Sequence, residues 1–189
     1  KRPSPDDKGI GCWDEHLVRE AGSVREEARR RGTTVHLGRI IELCVEKGSE
    51  LEHGNPQRKY KGRAVFLGNN VRDEWFDWAE FSELSSNPPS MEAAKALDAL
   101  GCVAKYSVMT SDAIGAYIQI YLETSATTWV SLPRNRWPSS WEGKYTNPVV
   151  PLILSLYGHA ESGGYWEEHC EKSVLKLGWT RVGWEWPSC

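Results

Sequence analysis

The chain has 189 residues, 40% of them hydrophobic and 26% charged, with a formal net charge of −3. Those proportions fit a globular protein with a buried core and exclude a low-complexity chain. No apolar run approaches the roughly 20 residues of a membrane-spanning helix, and no signal peptide is recognisable. The slight negative balance excludes a global positive field that would draw the chain to nucleic acid.

In chain order, residues 1–12 are rich in Pro, Asp and Gly and read as a disordered N-terminal segment. Residues 13–34 read as an N-terminal helical segment, rich in Glu, Arg and Ala and ended by Gly32. Within it, Ser23 followed by Glu26 matches a capping box, so a fresh helical start is expected there. From Thr33 to Glu46, Val35, Leu37, Ile40, Ile41, Leu43 and Val45 recur at near-alternate positions and predict a strand. A polar loop from Lys47 to Arg58 and a second strand from Lys59 to Leu67 complete a long antiparallel hairpin.

The stretch Asp73 to Leu84 is aromatic and acidic, and its state is open. After a loop from Ser85 to Pro89, Ser90 caps a helix to about Leu100, with Ala93, Ala94, Leu97 and Leu100 on one face. Ala104 to Thr110 predicts a strand with Asp112 at its C-terminal end, and Thr127 to Leu132 another. Beyond the Pro-, Arg- and Trp-rich loop 133–148, Val149 to Leu156 is apolar, and Gly158 to Gly164 reads as a turn-rich link. Tyr165 to Leu177 predicts an amphipathic helix through Trp166, Cys170, Val174 and Leu177.

Two compositional features stand out. Ten tryptophans are present, and Trp129, Trp137, Trp141, Trp166, Trp179, Trp184 and Trp186 crowd the last third. Such rings fill cores and interfaces, with base stacking as the rarer use. The basic residues cluster at Arg29-Arg30-Arg31 and across Arg58 to Arg63, where a solvated face and phosphate contacts are both open readings. The five cysteines, Cys12, Cys44, Cys102, Cys170 and Cys189, form no C-x-x-C pair, which argues against a zinc ribbon or a disulfide framework. Reduced thiols in an intracellular setting, cytoplasmic or nuclear, are expected.

Four blocks then follow one another. Lys61-Gly62-Arg63-Ala64-Val65-Phe66-Leu67-Gly68 is a strand with basic residues at its start, and a helix follows over Met91 to Gly101. Thr110-Ser111-Asp112-Ala113-Ile114-Gly115-Ala116-Tyr117 sets an aromatic five residues after a carboxylate. Ser155-Leu156-Tyr157-Gly158-His159 precedes Tyr165-Trp166. In this order the blocks resemble the reverse transcriptase of Ty1/copia-type retrotransposons over roughly Val35 to Trp179.

The resemblance implies an α+β fold: a fingers hairpin plus a partial palm, an antiparallel sheet packed on helices. Fingers would cover 35–100 and the partial palm 101–189. It implies an RNA-directed DNA polymerase acting by two-metal nucleotidyl transfer on template-primer and deoxynucleotides, alongside the other domains of a polyprotein. Asp112 would be catalytic and would hold Mg²⁺, with the Ala113 carbonyl as a further metal ligand. Hard Mg²⁺ takes carboxylate oxygens together with water and phosphate. Lys61 and Arg63 would meet the triphosphate. Ala116 and Tyr117 would floor the sugar pocket, the ring excluding a ribose 2′-hydroxyl. Tyr157 and Gly158 would border the base or template.

Taken singly, these residues have plainer readings. Asp112 is also a good helix N-cap, Tyr117 a core aromatic, Lys61 and Arg63 charges on an exposed edge, and Gly158 a turn glycine. Leu67 stands where the resembled strand carries a second arginine, and Ile114-Gly115 replace polar residues. The paired aspartates of the resembled family are missing, since Asp112 is the last aspartate in the sequence. One carboxylate does not hold two divalent ions, so this chain alone is expected to be inactive. Both ends read as cut from a longer reading frame. The alternative is a non-catalytic nucleic-acid-binding or protein-interaction module on a decayed scaffold.

Overall fold

A computed structural model describes residues 11–82 and 90–180. Most of the expected N-terminal lead, the loop before Ser90 and the terminal Trp184 and Trp186 therefore lie outside the described residues. The fold is α+β. Five strands form one sheet: β1 (Arg19–Glu20), β2 (Val35–Lys47), β3 (Lys59–Phe66), β4 (Thr127–Ser131) and β5 (Pro148–Pro151), in the order β1-β5-β4-β2-β3. Among the described residues three α-helices accompany them: α1 (Ala21–Arg31), α2 (Met91–Gly101) and α3 (Ser162–Lys176).

The expected hairpin is present, β2 pairing antiparallel with β3 from Ile40↔Phe66 to Lys47↔Lys59. Its distal half projects from the body: Leu43, Val45 and Tyr60 are exposed, and Arg58 braces the tip by binding Glu46 and the Leu51 carbonyl oxygen, each at 2.9 Å. The sheet is nevertheless mixed, not antiparallel as expected. The first half of β2 pairs in parallel with β4, from Val35↔Thr127 to Arg39↔Ser131. β2 is thus shared lengthwise between two partners. Its β4-paired half carries Val35 and Leu37 into the interior, whereas Leu43 and Val45 in the half paired only with β3 stay in solvent.

Two apolar clusters lie on the sheet. One joins Ile40, Phe66, Val71, Val130, Leu132, Trp141, Val150, Leu152 and Leu156. The other joins α1 to the sheet through Ala21, Val24 and Ala28 against Val35, Leu37 and Val149. The buried positions of α1 follow a spacing of three and four residues, so one helical face is covered.

The expected start at Ser23 is corrected. α1 runs unbroken from Ala21, with Ser23 in its first turn, and Glu20 at the cap position gives its carboxylate to Thr146 N (2.5 Å) and Asn147 N (3.0 Å). Gly32, at φ 63°, closes the helix as expected, its N–H reaching the Ala28 and Arg29 carbonyl oxygens.

α2 begins as expected, with Ser90 Oγ accepting from Ala93 N at 3.2 Å, but no residue of this helix is buried. α3 starts three residues before the expected Tyr165 and runs through Gly163-Gly164, because Ser162 is buried and its Oγ accepts from Leu156 N at 3.1 Å. Along its remainder Val174 and Leu177 are exposed, so the expected apolar face is covered only near the start of the helix.

The largest correction concerns residues 104–110. They form no strand; the segment from Lys105 to Ala113 is irregular and exposed. Its apolar residues Tyr106, Val108 and Met109 are exposed, and among the described residues no strand lies alongside to accept a ladder, so the segment has no sheet to join. Asp112 consequently sits at neither a strand end nor a helix cap, the next helical turn (Tyr117–Gln119) being preceded by Ala116.

Candidate functional site

The β3 edge and the Ser155–His159 turn build the most specific contact among the blocks singled out above. Lys61 and Arg63 lie two apart on β3, opposite Val45 and Leu43, and therefore share one face of an exposed edge strand. Where β3 ends, Phe66 N donates to the Tyr157 carbonyl oxygen at 2.8 Å, so the turn extends the strand edge. Gly158 follows with φ 89°, and a Cβ there would stand 2.0 Å from the Phe66 carbonyl oxygen. The glycine is required twice over: by its backbone angle and by the backbone it touches.

Around Tyr157 three sequence blocks meet. The Tyr117 ring stands edge-on to it at a centroid distance of 4.6 Å and an interplanar angle of 61°. The Arg63 guanidinium lies 5.9 Å from the Tyr157 ring centre. Tyr117 is carried there by a 3-10 turn (Tyr117–Gln119), with Ala116 just before it and Gln119 donating back to the Ile114 carbonyl oxygen at 2.8 Å. The strand-like bonds Ser155 N to Ile120 O and Leu122 N to Ile153 O, both 2.8 Å, lock this stretch to the sheet side. Arg63, Tyr117, Tyr157 and Gly158 are thus brought together, with Ala116 adjoining, while Lys61 lies further out along β3.

Asp112 and Ala113 are exposed on the irregular segment upstream of Gly115, whose φ of 64° turns the chain into the 3-10 helix. Among the described residues no group of three or more His, Cys, Asp or Glu side chains is arranged to hold a metal ion. The residues present do not fit a Mg²⁺ pair: the donor set is a single exposed carboxylate.

Beneath the turn lies a buried polar cluster that the sequence reading missed. His159 Nε2 meets Thr128 Oγ1 of β4 at 3.2 Å, and its Nδ1 accepts from Glu161 N at 3.3 Å. An accepting Nδ1 makes the ring neutral with its proton on Nε2, donated to Thr128. Burial, reinforced by the nearby His36, lowers the His159 pKa to about 4. His36 on β2 is also buried, and its pKa is lowered by desolvation against the opposing pull of Glu161, Glu74 and Asp73.

The Phe81 ring stands between the two histidines, 4.6 Å from His36 and 5.1 Å from His159. Glu161 reaches the same region, its Oε1 accepting from Ser82 N at 2.8 Å. The cluster ties the turn to β2, β4 and residues 81–82 at once. The only sequence signal for it was the adjacency of His159 to the Tyr157-Gly158 pair; nothing in the pattern of β2 distinguished His36 from its apolar neighbours.

A groove of about 480 Å³ lies between β2 and the loop after β4, lined by Arg39, Ile40, Glu42, Leu132, Pro133 and Asn135 among others. None of the residues around Tyr157 lines it. Cys12, Cys44, Cys102 and Cys170 are all free thiols, and among the described residues no helix is long and apolar enough to cross a membrane. Compared with known proteins, the chain matches no family model, no curated protein and no solved structure.

Proposed function

We propose that this chain is the fingers and first part of the palm of a Ty1/copia-type reverse transcriptase, with the nucleotide and template side of the domain around Tyr157. The observation that carries the proposal is the meeting of Arg63, Tyr117 and Tyr157, from three separate blocks, on a turn that only Gly158 permits. In this reading Arg63 and Lys61 offer cations to phosphate oxygens, and the paired rings offer apolar faces to a sugar and base. Asp112 is the first carboxylate of the metal site. The paired aspartates of the intact polyprotein would have to supply the carboxylates that the described residues do not gather around it. The partners are template-primer, deoxynucleotides and the rest of the polyprotein, inside the cell.

Primer extension tests this reading. The purified chain incorporates no deoxynucleotide with Mg²⁺ or Mn²⁺, because one carboxylate cannot bind the two ions of a transfer site. In a parent polyprotein that retains the paired aspartates, Asp112→Asn lowers incorporation by orders of magnitude. A fully active Asp112→Asn parent sinks the assignment; extension by the isolated chain that disappears with the same substitution overturns the expected inactivity of the chain alone.

A second reading has its own observation in its favour: Asp112 is exposed and, among the described residues, belongs to no group of His, Cys, Asp or Glu side chains that could hold a metal ion. It is a non-catalytic nucleic-acid-binding or protein-interaction module on a decayed scaffold. A parent reading frame with no Asp-Asp pair decides for it.

A further inference from the structure

Arg29, from the basic run that ends α1, meets a group of exposed aromatic rings distant from it in the sequence. The loop from Arg72 to Trp78 is anchored firmly at its base. Leu37 and Arg72 exchange backbone hydrogen bonds at 2.7 and 3.0 Å, and Arg25 of α1 donates to the Asp73 carbonyl oxygen. Buried Glu74 accepts from Val35 N at 3.1 Å, and Asp73 Oδ1 accepts from Trp75 N and Asp77 N at 2.8 and 2.9 Å. The acidic residues at the base of this loop are thereby used to fold it.

The rings are sent outward. Trp75, Phe76 and Trp78 are 61%, 63% and 60% exposed, and Phe76 takes a φ of 69° that a bulky side chain rarely adopts. An arginine covers each: Arg29 at 5.4 Å from the Trp75 centre, Arg25 at 4.0 Å from Phe76 and Arg72 at 3.3 Å from Trp78. Even with a guanidinium over it, each ring keeps more than half of its surface in solvent. Arg30, next to Arg29 on α1, is exposed, while Glu27 is engaged by Arg19 and Arg31 at 2.5 and 2.6 Å; Glu26 of α1 and Asp77 and Glu80 in and just after the loop are exposed acids.

Hydrated rings alternating with cationic planes match one ligand chemistry best. Unpaired bases stack on aromatic faces while the phosphates between them meet arginine. A duplex hides its base faces. An acidic peptide would use the arginines and leave the rings in water. We propose that the face formed by the second half of α1 and the loop Arg72–Trp78 binds single-stranded nucleic acid, with bases on Trp75, Phe76 and Trp78 and phosphates against Arg29, Arg30 and Arg72. This face needs neither Asp112 nor a divalent ion, so it goes beyond the polymerase reading and survives that reading's failure.

The test is fluorescence anisotropy of a labelled oligo-dT of about 12 nucleotides with the purified chain at low salt in EDTA. EDTA separates binding from nucleotide transfer. A blunt duplex of equal length and polyglutamate serve as competitors. The expected result is saturable binding that both compete poorly. Trp75→Ala with Trp78→Ala weakens it on the order of tenfold or more, and Arg29→Gln with Arg30→Gln weakens it and flattens its salt dependence. The arginine variant, altered only at exposed side chains, decides the matter if the ring variant melts early. Absence of saturable binding overturns the proposal. Binding unchanged in the arginine variant, or in a folded ring variant, does so too, and so does tighter binding of the duplex or of polyglutamate.

Discussion

Gly158 and Phe66 touch backbone to backbone: Phe66 N bonds Tyr157 O at 2.8 Å, and a Cβ on Gly158 would stand 2.0 Å from Phe66 O. No flexible side chain is available to move aside. Gly158→Ala is expected to cost at least about 2 kcal/mol, from the positive φ and from displacement of the turn. Gly143 has a similar φ of 72° with nothing within 4 Å, so Gly143→Ala isolates the conformational part at roughly 1 kcal/mol. Urea denaturation of both variants measures the difference. Equal losses would show that the turn does not sit against β3.

Stability should fall on acidification through His159. Its folded pKa of about 4 lies below the ordinary 6.5, so the unfolded chain binds the extra proton more readily. The stabilisation is complete above pH 6.5, shrinks as the pH falls and is gone near 4, an order-of-magnitude loss of about 3 kcal/mol. His36, lowered by its own burial, acts in the same sense. His159→Gln keeps hydrogen-bonding groups but does not titrate. Denaturation at pH 7.5 and 5 should show a smaller pH effect in the variant, and parallel losses in both proteins would contradict it.

A double-mutant cycle tests the meeting of Tyr117 and Tyr157 directly. An edge-on ring pair at 4.6 Å predicts a coupling of about 0.5–1.5 kcal/mol between Tyr117→Ala and Tyr157→Ala, toward the lower end because both rings are partly in solvent. Additive losses would separate the two blocks and remove the main support for the proposed nucleotide side.

Ser90 and Asp112 should matter differently. Ser90→Ala removes the cap of α2, worth about 1 kcal/mol, yet α2 buries nothing. The loss should appear as faster amide exchange within Met91–Gly101 with almost no change in the global melting temperature. Asp112→Asn and Asp112→Ala should both leave stability within about 0.5 kcal/mol, as for an exposed residue on an irregular segment. A destabilised Asp112→Ala beside a silent Asp112→Asn would reinstate the helix-cap role.

The hairpin, α2 with its Ser90 cap, and β4 were legible in the sequence because local period and turn residues determine them. The parallel pairing of β2 with β4 was not, since nothing local links Val35 to Thr127. Ala104 to Thr110 carries the alternation of a strand, and the pattern failed because strand formation requires a neighbour. At the candidate site, Arg63, Tyr117, Tyr157 and Gly158 could be marked from their blocks. The supporting histidines could not: His36 reads as one residue in an apolar strand until Phe81 and His159 close over it.

The lengthwise sharing of β2 orders the events of folding. Residues 40–47 find their partner β3 within a local hairpin, but Val35–Arg39 wait for Thr127–Ser131, after α2 and the irregular segment have been made. Closing so distant a contact is slow compared with hairpin formation. Until then Val35 and Leu37 present an open apolar edge. Any product that stops between 104 and 126 therefore keeps that edge permanently, and such truncations should accumulate as aggregates rather than as smaller folded forms of this domain.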